Sequence, residues 1–475
     1  MRQIVAATGT DRQEPVVTAD VTGFEGDPIG AVERFPSMEV PSVIERNQHQ
    51  GKAALNALDS GELVSMLAEA GSHFAKGTLG PENTTVDEYV TNVVRATGLP
   101  VRAVREAVTA IRSALESVDT TLRSQLPGDD VTVIDTLQYD TGTERTVGYV
   151  PRGRNLALLT PSNHPAVVAL SVVALGAKYP MAIRPSNQEP FTAARLVHAL
   201  HEAGLPKESV VLLPGEREVG QTAVEQSDLA LGFGGPDLQN RYADVSNVKI
   251  HGPGNSKIFV DSDYLQRDEV LDMCRTAVMT GGGRACTNAT QIVTTGDGSL
   301  LAKKLAQRVA GATVTAPLSE RAEVPAVVAP AEADRIDRLI DTNLTTGAGE
   351  DLTARYDDRD RVIEQNGITY LRPTVLHLDW NDFDDGRHVL ASELPFQYTV
   401  VVQVPKTDIG TALSDSLAVT TFTHDDGLEE TLLRDSSIEK LFANGEMVSD
   451  IDLREPHQGF LTDFLFRKQA YRPSK

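Results

Sequence analysis

The chain has 475 residues, a formal net charge of −23, 40% hydrophobic residues and two cysteines. This length exceeds what one hydrophobic core usually organises, so we expect at least two domains, and the acidic balance argues against a nucleic-acid-binding surface. No apolar run is long enough to cross a membrane, the first residues lack a secretory-type apolar core, and two cysteines give no disulfide framework. We therefore expect a soluble, cytoplasmic α/β protein with no membrane partner.

The first 150 residues change from an irregular pattern to a helical one and then to a strand pattern. Residues 1–50 show no clear period, whereas residues 51–126 carry apolar side chains at three- and four-residue steps, as in VREAVTAIRSALESV. That spacing predicts helices over 51–126. Residues 131–149 read VTVIDTLQYDTGTERTVGY and predict a β-hairpin, with two strands joined by a polar Asp-Thr-Gly-Thr turn.

Residues 151–256 form the most regular part of the sequence. Helical runs separate five strand-like runs, which are NLALLT, PMAIRPS, SVVLLPG, DLALGFGG and NVKIHG. The alternation predicts a parallel, doubly wound sheet, whose ligands lie beyond the carboxyl ends of the strands. No G-x-G-x-x-G follows the first strand, so the usual dinucleotide fingerprint is absent. Residues 151–257 carry ten Lys and Arg against nine Asp and Glu, which fits either docking of an anionic cofactor or chance variation in surface charge.

A second α/β unit begins near residue 257. KIFVDSD predicts a strand, YLQRDEVLDMCRTAVM predicts a helix that ends at a run of three glycines, and ATQIVTT predicts the next strand. Cys286 therefore lies on a loop between a helix and a strand, whereas Cys274 lies inside the helix and is predicted to be core. No His, Cys, Asp or Glu cluster has metal-ligand spacing, so we expect no metal.

Six stretches, taken together and in this order, resemble motifs of the aldehyde dehydrogenase superfamily. TPSNHP is similar to the family's Pro-x-Asn-x-Pro loop, AIRPSNQEP to Lys-Pro-Ser-Glu, and LGFGGP to Phe-Thr-Gly-Ser. HGPGNSKIFVDSD is similar to Glu-Leu-Gly-Gly-Lys-Ser-Pro, GRACTNATQIV to Gly-Gln-x-Cys, and SELPFQYTVV to Glu-x-Phe-Gly-Pro-Val. The resemblance implies an aldehyde dehydrogenase-like α/β fold with two doubly wound parallel-sheet domains and an oligomerisation β-hairpin, assembled as a homodimer or homotetramer.

The resemblance also implies a division of the chain into five parts. These are an N-terminal helical part of the cofactor domain, the oligomerisation hairpin, a Rossmann-like cofactor domain, a catalytic domain, and a C-terminal return and oligomerisation segment, over residues 1–130, 131–149, 150–256, 257–445 and 446–475.

Carried over residue by residue, the resemblance places the catalytic chemistry on Cys286, Asn163 and His251. A thiolate at Cys286 could attack a carbonyl group, and neighbouring backbone N–H groups or Arg284 could favour the thiolate; the alternative is an inert buried cysteine. The amide of Asn163 could donate to the developing oxyanion, or could only shape its turn. His251 stands where aldehyde-oxidising members carry a water-activating glutamate, and is either an acid or base or a strand-end residue.

The cofactor motif departs from the family pattern in a way that bears on nucleotide choice. Arg184, Ser186 and Asn187 stand where the family has Lys-Pro-Ser-Glu, so a guanidinium is gained and a carboxylate is lost. Because arginine pairs well with phosphate, we expect NADP, with NAD also possible. Further cofactor contacts are implied for Thr160, Pro161, Gly234, Gly235 and Glu393. For Glu393 the alternative is a surface carboxylate, and for the two glycines it is a simple turn.

The missing glutamate at position 251 and the missing Gly-Pro after Phe396 are similar to losses in the thioester-using branch, such as CoA-acylating aldehyde dehydrogenases and luciferase-associated fatty acyl-CoA reductases. We therefore expect NAD(P)H-dependent reduction of an acyl thioester, CoA-linked or carrier-bound, to an aldehyde through a Cys286 acyl-enzyme, with coenzyme A as co-substrate. Two alternatives stay open. One is NAD(P)-dependent oxidation of an aldehyde to a carboxylic acid, and the other is a catalytically idle family member acting as a binding or assembly subunit.

Overall fold

The computed structural model describes residues 2–9, 17–141, 145–346, 349–444 and 452–472. Its strands, in chain order, are β1 (Arg2–Ile4), β2 (Thr18–Thr22), β3 (Pro28–Glu33), β4 (Gln138–Asp140), β5 (Thr146–Pro151), β6 (Leu156–Leu159), β7 (Met181–Arg184), β8 (Val210–Leu212), β9 (Leu229–Phe233), β10 (Val248–His251), β11 (Lys257–Val260), β12 (Gln291–Thr294), β13 (Glu350–Asp351), β14 (Val362–Gln365), β15 (Ile368–Leu371), β16 (Thr374–Asp379), β17 (Tyr398–Gln403), β18 (Val419–Phe422), β19 (Leu441–Ala443) and β20 (Phe466–Tyr471).

The α-helices, in chain order, are α1 (Val40–Arg46), α2 (Lys52–Ala57), α3 (Ser60–Lys76), α4 (Val86–Thr97), α5 (Val101–Glu116), α6 (Val118–Gln125), α7 (Val133–Thr136), α8 (Val172–Gly176), α9 (Phe191–Glu202), α10 (Arg217–Gln226), α11 (Pro236–Tyr242), α12 (Asp268–Met279), α13 (Gly298–Val309), α14 (Pro330–Thr346), α15 (Ile409–Leu413), α16 (Asp426–Leu433) and α17 (Leu461–Leu465). No helix in the described part of the chain is long and apolar enough to cross a membrane.

The chain divides into two compact units. The first unit comprises Met1–Ala96, Val104–Gly252 and Leu453–Lys475, and the second comprises Thr97–Ala103 and Pro253–Asp452.

The first unit contains the parallel sheet predicted from the alternating pattern. Its five strands run in the order β10-β9-β6-β7-β8, and all neighbouring pairs are parallel. The strands are short apolar runs because both faces of such a sheet are covered. One face buries a cluster of apolar side chains, which includes Phe35, Val40, Ile44, Ala157, Ala182, Val211 and Ala230. The five strands and their parallel arrangement are thus confirmed.

Residues 1–50 show no clear period in the sequence, and in the structure β1, β3 and β2 form a three-stranded sheet. The prediction of a strand over the first half of the hairpin at 131–149 was wrong in part. The first strand of the predicted hairpin at 131–149 is in part helix α7, because the carboxylate of Asp130 accepts hydrogen bonds from the backbone N–H and the hydroxyl of Thr132 and so starts a helical turn. The hairpin is formed by β4 and β5, and β20 pairs with β5 to make a three-stranded antiparallel sheet. Residues 142–144 of its predicted turn lie outside the described residues.

The second unit contains a seven-stranded sheet in the order β13-β16-β17-β12-β11-β18-β19. Its strands are parallel except for β13, which pairs antiparallel with β16. The strands β11, β12 and β17 are neighbours, with Lys257 opposite Gln291 and Gln291 opposite Val400. The segments that lead into these three strands therefore meet at one edge of the sheet.

Candidate active site

The turn that carries Cys286 is shaped by the glycines before it. Gly281, Gly282 and Gly283 have φ angles of 61°, 68° and 71°, in the left-handed region that favours glycine. A β-carbon at Gly283 would also lie 2.5 Å from the backbone of Phe396. The three glycines thus end α12 and bring the chain close to the segment that leads into β17.

Asn288 fixes the same turn from its other side. Its Oδ1 accepts from the N–H of Ala285 at 2.7 Å, and its Nδ2 donates to the carbonyls of Ala277 and Thr280 at 2.8 and 2.9 Å. This buried amide therefore ties the residues around Cys286 to the end of α12.

Cys286 lies on a loop, as the sequence predicts, and is partly buried; Cys274 is fully buried in α12. Neither cysteine forms a disulfide. Burial raises the pKa of the Cys286 thiol to about 12, and the negative charge of Glu393 adds to the rise, while Lys440 opposes it. In this structure Cys286 is therefore a protonated thiol at neutral pH, and its reactivity depends on a base or on a change in its surroundings.

A carboxylate and a glycine loop lie beside Cys286 at the amino-terminal edge of the second sheet. Glu393 Oε1 accepts from the N–H groups of Gly254 and Asn255 at 2.6 and 3.1 Å. The hydroxyl of Ser256 donates to the carbonyl of Cys286 at 2.9 Å. Burial raises the pKa of Glu393 to about 7, and the two N–H groups oppose this rise. This edge of the second sheet thus holds the Cys286 thiol next to the Glu393 carboxyl group. Of the two, the carboxyl group changes its protonation near neutral pH.

Arg284 supports the backbone around this site. Its guanidinium donates to the carbonyls of Thr97, Ala326 and Pro395, and burial lowers its pKa to about 10. Burial and the charge of Glu393 raise the pKa of Cys286, and the expectation that Arg284 or neighbouring N–H groups favour the thiolate stays a prediction.

His251 ends β10 and is buried in the first unit. Its ring stacks on Phe233 with centroids 5.3 Å apart, and its Nδ1 has no hydrogen-bond partner among the described residues. Burial, with Lys249 nearby, lowers the pKa of His251 to about 4, although a hydrogen bond with Gln458 opposes this. The imidazole is therefore neutral at physiological pH and only weakly basic.

Several predicted cofactor residues meet at the carboxyl edge of the first sheet. Arg184 ends β7 opposite Leu159 of β6, so Thr160 follows at the same edge, and its N–H donates to the carbonyl of Arg184 at 3.1 Å. Arg184 Nη2 donates to the carbonyl of Gly215 at 2.8 Å and to Asn187 Oδ1 at 3.3 Å. Its Nε is buried with no hydrogen-bond partner in the described part of the chain. Burial lowers the pKa of Arg184, against the charge of Glu216.

The remaining predicted residues lie on nearby turns of the first unit. Ser186 accepts from the N–H of Gln188 at 3.2 Å, Pro161 is partly buried and Asn163 is exposed. A β-carbon at Gly234 would lie 2.8 Å from Leu238, whereas one at Gly235 would meet nothing within 4 Å.

The structure thus brings the predicted residues together in two sets. In the first unit, Thr160, Arg184, Gly234 and His251 follow or end neighbouring parallel strands. In the second unit, Cys286 and Glu393 lie beside the loop of residues 254–256. The sequence analysis did not single out Gly254, Ser256 or Asn288; the only signals of a turn at these positions were the two glycines in HGPGNS and the asparagine two residues after the cysteine. No group of three His, Cys, Asp or Glu side chains in the described residues could hold a metal ion.

The two parallel sheets place the chain among α/β proteins of doubly wound type. The model of the aldehyde dehydrogenase family matches residues 25–382. The chain therefore belongs to the aldehyde dehydrogenase family.

The individual relatives have low sequence identity to this chain. An aldehyde-dehydrogenase-like protein of Sinorhizobium fredii is 26% identical over 227 residues, covering 44% of this chain and 42% of the relative. Aspartate-semialdehyde dehydrogenase 1 of Pseudomonas canavaninivorans is 24% identical over 280 residues, covering 57% and 56%. The chain thus spans about half the length of these curated relatives. The crystal structure of aldehyde dehydrogenase from Brucella melitensis biovar abortus superimposes with a TM-score of 0.78 over 98% of this chain and 97% of that one, at 15% identity. This likeness confirms the predicted aldehyde dehydrogenase-like fold.

Proposed function

We propose that this chain oxidises an aldehyde to a carboxylic acid with NAD(P) through a covalent intermediate on Cys286. One observation carries the proposal: Cys286 lies on a glycine-shaped turn beside the partly buried carboxyl group of Glu393. A thiol that can reach a carbonyl carbon is what nucleophilic catalysis requires, and the Glu393 carboxyl group beside it changes protonation near neutral pH. The family match and the named relatives support aldehyde chemistry.

In this mechanism the Cys286 sulfur forms a bond to the aldehyde carbon, and its proton leaves to a base. The amide of Asn163 stays the predicted donor to the oxyanion. A nicotinamide dinucleotide held by Arg184, Ser186 and Asn187 would supply the hydride acceptor for this oxidation, which would leave a thioester on Cys286. Water then attacks that thioester and the bond to Cys286 breaks, which releases the acid and restores the thiol.

The residues at the carboxyl edge of the first sheet fit a nucleotide. Arg184 Nε is buried without a hydrogen-bond partner in the described residues, and there is open space beside Gly235. Arg184 and Asn187 would contact the adenosine ribose, with Ser186 on the same turn, and Thr160, Pro161, Gly234 and Gly235 would border the nucleotide. A guanidinium near that ribose favours NADP over NAD.

A second candidate is the reduction of an acyl thioester to an aldehyde, with coenzyme A as co-substrate. It uses the same cysteine, and one observation favours it: a buried neutral histidine occupies position 251, where the resemblance places a water-activating glutamate in aldehyde-oxidising members. The relatives named above are an aldehyde-dehydrogenase-like protein and an aspartate-semialdehyde dehydrogenase, and they give this candidate no further support. A homodimer or homotetramer built through the β4–β5 hairpin, and a cytoplasmic location, stay predictions.

The test is nucleotide reduction with a panel of aldehydes, including aspartate semialdehyde, in the presence of NAD or NADP and with or without coenzyme A. We expect NAD(P)H to form without coenzyme A, Cys286→Ala to abolish it, and Cys274→Ala to leave it. Turnover that requires coenzyme A would favour the second candidate. Nucleotide binding with no turnover under any condition would favour the idle subunit.

A further inference from the structure

We propose that Glu393, and not the residue at position 251, is the general base that activates water to hydrolyse the Cys286 thioester. This inference rests on the proposed acyl-enzyme at Cys286. It assigns Glu393 a role in proton transfer, which differs from the nucleotide contact that the resemblance implies.

The two oxygens of Glu393 have different surroundings. Oε1 accepts from the N–H groups of Gly254 and Asn255, which fixes the plane and direction of the carboxyl group. No hydrogen bond from the described residues reaches Oε2, and Oε2 keeps some solvent-accessible surface. One oxygen is thus anchored, and the other is left to bind a water molecule.

The loop of residues 254–256, which donates hydrogen bonds to Glu393, also contacts the backbone of Cys286. The backbone of Gly254 packs against that of Cys286, since a β-carbon at Gly254 would lie 2.6 Å from the Cys286 carbonyl carbon. Two residues further on, the Ser256 hydroxyl donates to the Cys286 carbonyl. The carboxyl group of Glu393 and the backbone of Cys286 are therefore held by the same short loop.

The charges around this pair suit a base that works near neutral pH. The charge of Lys440 lowers the pKa of Cys286, and Arg284 donates to the carbonyl of Pro395, two residues after Glu393. The pKa of Glu393, raised by burial to about 7, gives a mixture of acid and carboxylate at physiological pH.

The step balances as follows. Oε2 of the carboxylate accepts a proton from water while the water oxygen forms a bond to the thioester carbon. The tetrahedral intermediate collapses, the bond from carbon to the Cys286 sulfur breaks, and the proton on Glu393 returns to the departing sulfur. The products are a carboxylic acid and the original thiol.

The competing base, His251, is less suited to this step. Burial holds its pKa at about 4, and its ring is stacked on Phe233. The lower pKa makes it a much weaker proton acceptor than Glu393.

The experiment uses p-nitrophenyl acetate, which acylates a thiol without any nucleotide. The burst of nitrophenolate reports acylation, the later steady rate reports deacylation, and intact-mass spectrometry reports acetyl-Cys286. We expect Glu393→Gln to keep the burst, to slow deacylation about 100-fold or more, and to accumulate the acetyl-enzyme. Glu430→Gln, which removes the same charge from an exposed position on α16, is the matched control and should behave as wild type.

Wild-type deacylation supplies a second test that needs no variant. It should rise with pH around a midpoint near 7, because only the carboxylate form accepts the proton. Equal deacylation rates in wild type and Glu393→Gln, or a flat profile between pH 5.5 and 8.5, would overturn the inference. Failure of the proposed function looks different: wild type would show the ester burst but would reduce no nucleotide with any aldehyde.

Discussion

The backbone of Gly254 lies so close to Cys286 that a β-carbon at position 254 would overlap the Cys286 carbonyl group, 2.6 Å from its carbon and 3.1 Å from its Cα. The contact joins two main chains, so no side-chain rotation can relieve it. A residue with no side chain is therefore required at this point, even though its φ angle is not in the left-handed region.

We predict that Gly254→Ala displaces the Cys286 turn. The overlap should cost about 3 kcal/mol of unfolding free energy and reduce Cys286-dependent turnover by more than 100-fold. Denaturant unfolding and ester hydrolysis measure the two effects. Gly410→Ala is the control, since a β-carbon there meets nothing within 4 Å and alanine is favoured in a helix. Wild-type activity in Gly254→Ala would contradict the close approach.

We predict that Glu393→Gln makes Cys286 easier to alkylate. Removing the negative charge lowers the pKa of the thiol, so at pH 8.5 the rate with iodoacetamide should rise, by about tenfold or less. Below about pH 6 wild type also carries a protonated Glu393, and the difference should disappear. Intact-mass spectrometry gives the rate.

Cys274 is the internal control for that measurement, because burial raises its pKa to about 12 and leaves its side chain inaccessible. It should stay unlabelled in both proteins. Faster alkylation together with slower deacylation in Glu393→Gln would identify Glu393 as a base. A residue needed only for folding would not change the two reactions of Cys286 in opposite directions. An unchanged alkylation rate at pH 8.5 would show that the two groups do not interact.

We predict that His251→Gln has a small effect on turnover. The imidazole is buried, stacked on Phe233 and neutral above about pH 5, so kcat should change less than about tenfold, against the 10²- to 10⁴-fold loss typical of a general base. The pH profile of kcat between 5 and 9 should keep its shape, while Tm falls. A loss above 100-fold with Tm preserved would restore the catalytic alternative for His251.

The sheets could be predicted because their strands are continuous apolar runs between helices. All four residues of β12 are buried, and LALL of β6 has three buried residues and one partly buried residue. The positions of such apolar runs along the chain were therefore enough to predict the strands. β2 was missed because most of TADVT is exposed and carries no apolar run. Helix α7 was missed because local hydrogen bonds from Thr132 to the Asp130 carboxylate, just before the helix, outweighed β-branched residues that favour a strand.

The candidate site could be predicted only in part, for a different reason. The loop position of Cys286 follows from its neighbours in sequence, such as the three glycines. The contact between Glu393 and Gly254 joins residues 139 positions apart, and it exists because β17, β12 and β11 are adjacent in the sheet. Strand order leaves no periodic signal in a single sequence, so this pairing required the structure.

Finally, we predict that Arg184 decides between the two nucleotides. A charge-assisted contact to the 2′-phosphate contributes about 1.5–3 kcal/mol, so Arg184→Gln should weaken NADP binding by about 10- to 100-fold and change NAD binding little. Isothermal titration calorimetry with both nucleotides measures this. Asn187→Asp should act in the same direction, because Asn187 Oδ1 lies 3.3 Å from Arg184 Nη2 and a carboxylate there repels phosphate. Arg184 also donates to the carbonyl of Gly215, so equal weakening of both nucleotides together with a lower Tm would indicate a structural role instead.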